Sequence, residues 1–515
     1  MKVSLPANWA EAKISEIAFV NKREKADHLS DETKVSFIPM KDVEEESGKY
    51  SYKIREMGEV KKGYTQFFDG DLLFAKITPC MENGKAAVVD KLSNGIGFGS
   101  TEFHVIRTLS NDISPHYLFY FLIQKNYRLS AERHMAGAVG QRRVSKKYIE
   151  DTIVPIPPAA EQERILNKFE ELFSKLDKGV EALERAQALL RRYRASVLKA
   201  AVEGRLVPTE ADLARQENRD YEPADKLLER ILDERRAAWE GAELAKMIRK
   251  GQTPKNDKWK NKYKESAAPD TSDLPELPEG WVWVTLEMLA DIKGGITKDK
   301  KRKIKNGRSV PYLRVANVQR GFLDLSEMKT IEAEEKVIDE LRLIPGDVLF
   351  TEGGDRDKLG RGWVWSGEVG ECIHQNHIFR ARLFLDSLSG EYISWFGNSF
   401  GQEYFMRQGK QTTNLASINL TKLRGFPVAL PPQAEQARIE EELDRMLTSI
   451  SVMDKLISAE LNKSNALRQS ILKNAFQGNL VPQDPNDEPA TTLLESIKAE
   501  RTKTNPSKPR GKNTK

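Results

Sequence analysis

Cysteine is almost absent from this chain, with Cys80 and Cys372 the only two in 515 residues, so no disulfide framework can hold the fold together. Histidine is nearly as scarce, at six. No apolar run approaches the roughly 20 residues that a membrane-spanning helix needs. The opening Met1-Lys2-Val3-Ser4-Leu5-Pro6 lacks the basic and apolar regions of a signal peptide, so the expected compartment is the cytoplasm and no membrane partner is expected. Net charge is only +5, which by itself does not announce a nucleic-acid binder. Hydrophobic content of 39% beside 31% charged residues suits a globular and helical protein, and 515 residues exceed one core, so three or four domains are expected.

Catalytic constellations are missing too. There is no Walker-type phosphate loop, and Gly95-Ile96-Gly97-Phe98-Gly99-Ser100 lacks the strand-to-helix setting of a nucleotide fingerprint, which leaves a hairpin turn as the expectation. An amino-group methyltransferase would carry Asn or Asp before Pro-Pro and an aromatic residue, but the two Pro-Pro pairs here are followed by Ala159 and Gln433. Cys372-x-His374-x-x-His377 offers zinc-ligand types without a visible fourth ligand. Strand alternation would send His377 to the face opposite Cys372 and His374, so a polar strand end is the simpler reading. Acid-x-Lys triplets such as Glu334-x-Lys336 are what a nuclease would use, yet they arise by chance in so charged a chain.

What is present is written twice. Pro157-Pro158-Ala159-Ala160-Glu161-Gln162 returns as Pro431-Pro432-Gln433-Ala434-Glu435-Gln436, 274 residues later. The same offset, without a gap, carries Gly204-x-Leu206-Val207-Pro208 onto Gly478-x-Leu480-Val481-Pro482. Between these ends the apolar positions coincide, with Ile165, Phe169, Phe173, Tyr193 and Val197 matching Ile439, Leu443, Leu447, Leu467 and Ile471. Steps of three and four residues make one helical stripe. A helix of roughly 63 Å fits between the prolines and Gly204 at about 1.5 Å per residue. Two such stripes of equal length predict an antiparallel coiled coil.

Each rod follows a head of mixed α/β character. Leu5-Pro6-x-x-Trp9 opens the first and Leu277-Pro278-x-x-Trp281 the second, while Asp69-Gly70-Asp71-Leu72-Leu73-Phe74 matches Pro345-Gly346-Asp347-Val348-Leu349-Phe350. A helix is expected from Pro115 to about His134, with a counterpart from Tyr392 to Arg407. A short amphipathic helix also recurs, through Leu227, Leu228 and Ile231 and again through Leu493, Leu494 and Ile497. Its stripe is too small to stand alone, so it should dock on a partner protein or on the end of the coiled coil. Lys246 to Ser272 reads as a flexible basic linker and Lys503 to Lys515 as a disordered basic tail.

The expected order is a head at 1–154, a long helix at 155–208, a short helix with charged linker at 209–274, a second head at 275–429, a second long helix at 430–482, and a short helix with tail at 483–515. An internal pseudo-twofold would relate the halves.

Basic and polar residues gather in loops of both heads. Lys300, Lys301, Arg302 and Lys303 lie in a strongly basic loop of the second head that extends to Arg308, and Gln141, Arg142, Arg143, Lys146 and Lys147 follow the helix of the first. Such clusters suit DNA phosphates. Thr412, Thr413 and Asn414, in the corresponding place of the second head, can contact base edges.

The paired Pro-Pro-x-Ala-Glu-Gln-x-Arg-Ile openings, the Gly-x-Leu-Val-Pro ends and the two Leu-Pro-x-x-Trp starts resemble the specificity subunits of type I restriction-modification enzymes. The resemblance implies that the heads are target recognition domains, each reading half of an interrupted double-stranded DNA site, and that the rods set the gap. It implies two methyltransferase and two restriction subunits as partners, which would carry S-adenosylmethionine, ATP and Mg2+, with no cofactor in this chain. It also points to Gln375, Asn376 and His377 as a polar segment of the second head, where the first head has Ser100-Thr101-Glu102. A DNA-reading scaffold without catalysis is therefore expected. The alternatives are a coiled-coil assembly adaptor without base readout and a stand-alone metal-dependent nuclease.

Overall fold

The computed structural model describes residues 5–24, 29–138, 140–297, 306–354, 358–408, 410–411 and 416–504. The chain divides into two compact units, one made of Met1–Arg185 with Ile457–Lys515 and the other of Ala186–Leu456. Each unit thus takes a head, part of one long helix and part of the other.

In the first unit, strand Ala10–Lys13 pairs antiparallel with Ile153–Ile156 and closes the head where the rod begins. A four-stranded antiparallel sheet follows the order Ala18–Val20, Phe103–Thr108, Leu72–Ala75, Ala86–Val88. A second sheet has the order Lys53–Glu56, Lys34–Ile38, Ile96–Gly99, Thr65–Phe68, with its central pair parallel. Ile96–Gly99 of the glycine-rich stretch is therefore a buried strand and not a hairpin turn, with Gly95 ending the short turn that leads into it. Its glycines serve close packing, since a Cβ at Gly97 would lie 2.2 Å from the Phe67 ring and one at Gly99 2.4 Å from the Ile38 carbonyl.

The second unit repeats this plan. Val282–Thr285 pairs with Pro427–Leu430, and the four-stranded sheet runs Ala290–Gly294, Ile378–Leu383, Val348–Thr351, Gly362–Val364. Each central strand is anchored by a buried aspartate: Asp71 accepts from Arg107 at 2.7 and 2.6 Å, and Asp347 from Arg382 at 2.8 and 2.8 Å. The single helix expected after Pro115 is two, Pro115–Leu122 and Lys125–Arg133, and its counterpart is likewise split into Gly390–Asn398 and Phe400–Gln408.

The rods are continuous helices, Ala159–Val202 and Gln433–Ala475. They run antiparallel within each unit. In the first, Arg468 pairs with Asp177 and lies 4.5 Å over the Phe173 ring, while Phe476 packs near Phe169; in the second, Gln187 donates to Asp454 at 3.1 Å. The stripe is most fully buried toward its ends, where Ile165, Phe169, Ile439 and Leu443 join the core of a head, although Ile450 nearer the middle is buried as well. Tyr193 and Leu467, both on the stripe, are 50% and 51% exposed, because a two-helix pair has a single seam and the head adds a second wall only at the ends.

The short helices dock within the chain, in cores that the heads share with the rod ends: Leu227 and Ile231 of helix Ala224–Arg249 are fully buried in a core that includes Val197, Ala201 and the second head, and Leu493 and Ile497 of Ala490–Thr504 join one that includes Leu472, Ala475 and the first head, so the expected place at the end of the coiled coil is extended onto the head. Their apolar stripes match faces that the heads themselves leave open, which sequence periodicity cannot assign. The Lys246–Ser272 segment is not a free linker. It folds back on its helix through Trp259 stacked on Trp239 at 6.0 Å and Tyr263 under Arg235, with Lys260 paired to Glu240 at 2.9 Å.

Candidate nucleic-acid interface

The repeated motifs are structural locks. Trp9 donates its indole N–H to Glu161 at 3.0 Å, and Trp281 does the same to Glu435 at 3.0 Å. Gln162 accepts from the Ser114 backbone at 3.0 Å, and Gln436 faces Ser389 at 3.5 Å, so each Glu-Gln pair ties the rod's first turn to its own head. The far end of the opposite rod completes the lock. Gly204 and Gly478 have φ of +66° and +74°, and a Cβ there would lie 2.5 Å from Pro278 and 2.2 Å from Pro6. Only glycine meets both demands.

Built on this frame, each head places a polar tip beyond the end of its central strand. In the first, Lys76 follows strand Leu72–Ala75; its N–H donates to the Glu102 carbonyl at 2.9 Å and its carbonyl accepts from Val144 at 2.9 Å. Ile77 bridges Arg143. In the second, Glu352 follows Val348–Thr351; its N–H donates to the His377 carbonyl at 2.9 Å and its carbonyl accepts from Ile418 at 2.8 Å, while Gly353 pairs with Ser417. The backbone constellation is the same in both heads. Ser100-Thr101-Glu102 and Gln375-Asn376-His377 therefore occupy equivalent places despite unlike side chains.

The side chains differ in charge. In the first head Arg143 donates to Glu102 at 2.9 and 2.8 Å and holds that carboxyl below its usual range, and the Lys76 ammonium donates to the Thr101 carbonyl at 2.6 Å. Gln141 is exposed, and Arg142 faces Glu132 at 3.3 Å. Lys146 and Lys147 are exposed on helix Lys146–Asp151, with Lys146 3.2 Å from Glu150. In the second head His377 shares a hydrogen bond with Glu352 at 2.5 Å, and Gln375 and Asn376 are half-buried in the adjoining turn.

Ile296, just before the basic loop, bridges Gln375, so that loop departs from beside the tip. Lys300, Lys301, Arg302 and Lys303, like Thr412, Thr413 and Asn414, lie outside the described residues. Arg308, at the loop's far end, is paired to Glu335 and Glu371 at 2.7 and 2.5 Å and its charge is spent there.

Cys372 and His374 are buried and His377 is exposed, so the three do not converge. Burial pushes the Cys372 thiol up to about 12 and the His374 imidazole down to about 4. Among the described residues no group of three His, Cys, Asp or Glu side chains could hold a metal ion.

Sequence reasoning did not single out Lys76 and Glu352. The signal was available, since both follow directly on the matched apolar strands Leu72-Leu73-Phe74-Ala75 and Val348-Leu349-Phe350-Thr351.

Residues 6–185 match the family model described as Type I restriction modification DNA specificity domain. The chain is similar to the type I restriction-modification specificity subunits, over that region and well beyond it. It is 27% identical to the EcoEI specificity subunit of Escherichia coli, over 84% of this chain and 77% of that one. The EcoAI specificity subunit of the same organism is also 27% identical, over 91% of this chain and 83% of the relative. Among solved structures, a chain of a type I restriction-modification system superposes with a TM-score of 0.59 at 21% identity, covering 93% of this chain and all of that one. The HsdS subunit of Thermoanaerobacter tengcongensis gives 0.52 at 18% identity, over 93% and 99%. Both share the fold of this chain.

Proposed function

We propose that this chain reads DNA for a type I restriction-modification complex, one head for each half of a bipartite site, and performs no catalysis itself. One observation carries the reading: the same backbone tip is built twice, on locked and matched frames, with different side chains. Two readers of one design with unlike surfaces suit two unlike half-sites. Cations, among them the exposed Lys146 and Lys147 and the loop residues Lys300 to Lys303, serve phosphates, while Gln375, Asn376, Thr412, Thr413 and Asn414 serve base edges. The rods, equal in length between their caps, set the number of unread base pairs.

The partners are methyltransferase and restriction subunits, two of each, in the cytoplasm. S-adenosylmethionine, ATP and Mg2+ belong to those partners. Production of this chain with the methyltransferase of its own system, followed by mapping of methylated adenines, tests the proposal. The expected result is two short half-sites around a fixed gap; an uninterrupted motif, or methylation without sequence preference, would overturn it.

A further inference from the structure

The two tips present opposite charge at one shared backbone position. Lys76 and Glu352 each end the central strand and make the same pair of backbone hydrogen bonds, to Glu102 and Val144 in one head and to His377 and Ile418 in the other. What surrounds them decides which group is free to act. In the first head the carboxylate of the constellation, Glu102, is occupied by both arms of Arg143. The Lys76 ammonium donates one hydrogen to Thr101 and keeps two donors. In the second head the place of Glu102 is taken by His377, and the place of Arg143 by Ser417. Among the described side chains no guanidinium holds Glu352. Its Oε2 meets His377, and Oε1 keeps its acceptor capacity.

An ammonium can only donate and a carboxylate can only accept. In the major groove, guanine offers the acceptors O6 and N7, and cytosine offers the N4 donor. A carboxylate at a tip that faces DNA is repelled by phosphate, so Glu352 is suited to a base donor and not to the backbone. We propose that Lys76 and Glu352 are specificity-determining residues of opposite polarity, Lys76 selecting a guanine in the first head's half-site and Glu352 a cytosine in the second's. This rests on the DNA-reading function proposed above and adds to it which side chain distinguishes the heads.

The test uses the full chain assembled with its methyltransferase, in three variants: Glu352→Lys, Glu352→Gln and Lys76→Glu. Methylated sites are mapped for each, and assembly and thermal unfolding are measured alongside. Glu352→Gln preserves size and shape, so it remains informative if a charge reversal impairs folding. The expected result for Glu352→Gln is relaxed choice at one position of one half-site, with methylation of the original site falling about tenfold, or about 1.4 kcal/mol. Glu352→Lys should replace cytosine by guanine there, and Lys76→Glu should alter the other half-site alone. Three results would overturn the proposal: an unchanged motif in Glu352→Gln, a uniform loss at all sites without a change of preference, or a change in both half-sites from one substitution. A wild-type chain that shows no bipartite motif would instead overturn the DNA-reading function, so the two failures are distinguishable.

Discussion

Glu161 and Glu435 show how one residue type can look catalytic and be structural. Each sits in a repeated motif, is almost fully buried, and has a pKa raised by burial, yet each spends an oxygen on a tryptophan indole. Replacing Glu161 by Ala leaves the Trp9 N–H buried without an acceptor and should cost about 1–3 kcal/mol in urea unfolding. Glu161→Gln keeps an acceptor and should cost much less; equal losses would refute the lock. His374 gives a pH signature. Desolvation holds its folded pKa near 4, and its Nε2 has no partner among the described residues, so the folded state binds fewer protons than the unfolded one between about 6.5 and 4. Its contribution to stability is therefore present above that window and lost as pH falls through it. Glu435 acts with the opposite sign, so the difference in melting temperature between wild type and His374→Gln, followed over pH, isolates the histidine. A difference that does not change across the window would reject this assignment.

At the scale of elements, the short helices are parts of the heads. Ala490, Leu493 and Ile497 pack with Trp9, Ile14 and Ile17, and Arg501 donates to the Ser15 carbonyl at 2.7 Å. Leu493→Ala or Ile497→Ala should therefore destabilise the first head by about 2–5 kcal/mol, visible in unfolding of the chain without any partner. Unchanged unfolding of the isolated chain, with methyltransferase yield alone reduced, would return these helices to a partner-docking role. The rods, the two heads and their α/β character were legible in the sequence because period and caps are local properties. The two-helix break at Ile123 and Gln124, the docking of the short helices and the fold-back of Trp259 were not. Each depends on which surface a distant segment leaves uncovered.

At the scale of the whole molecule, two long helices each begin in one unit and end in the other. If rod length sets the gap, inserting four residues after Ala182 alone lengthens one helix by about 6 Å and mismatches the stripes, which should impair folding. Adding the equivalent insertion after Leu456 restores equal lengths, and mapping should then show the original half-sites with a changed number of unread base pairs. A paired variant that folds and keeps the original spacing would remove the rods as the ruler. In duplex-binding measurements over a range of salt, replacing Lys300, Lys301, Arg302 and Lys303 by Ala should weaken binding to all duplexes alike and flatten its salt dependence, because phosphate contacts release counterions. An unchanged salt slope would remove that loop from the phosphate contacts.

The sequence alone determined the duplication, the equal rods and the absence of recognisable catalytic motifs, since a gapless offset with repeated caps is a property of order along the chain. It also exposed Leu-Pro-x-x-Trp and Pro-Pro-x-Ala-Glu-Gln as paired signals without saying that each Trp bonds the Glu more than 150 residues away. The tip was decided only by the tertiary structure. Lys76, Glu102 and Arg143 are scattered along the first head, and Glu352, His377 and Ser417 along the second; strand pairing brings each trio together. Their equivalence lies in backbone hydrogen bonds, which do not depend on side-chain identity, so residues as unlike as Lys76 and Glu352 share a place that no comparison of their chemistry would reveal.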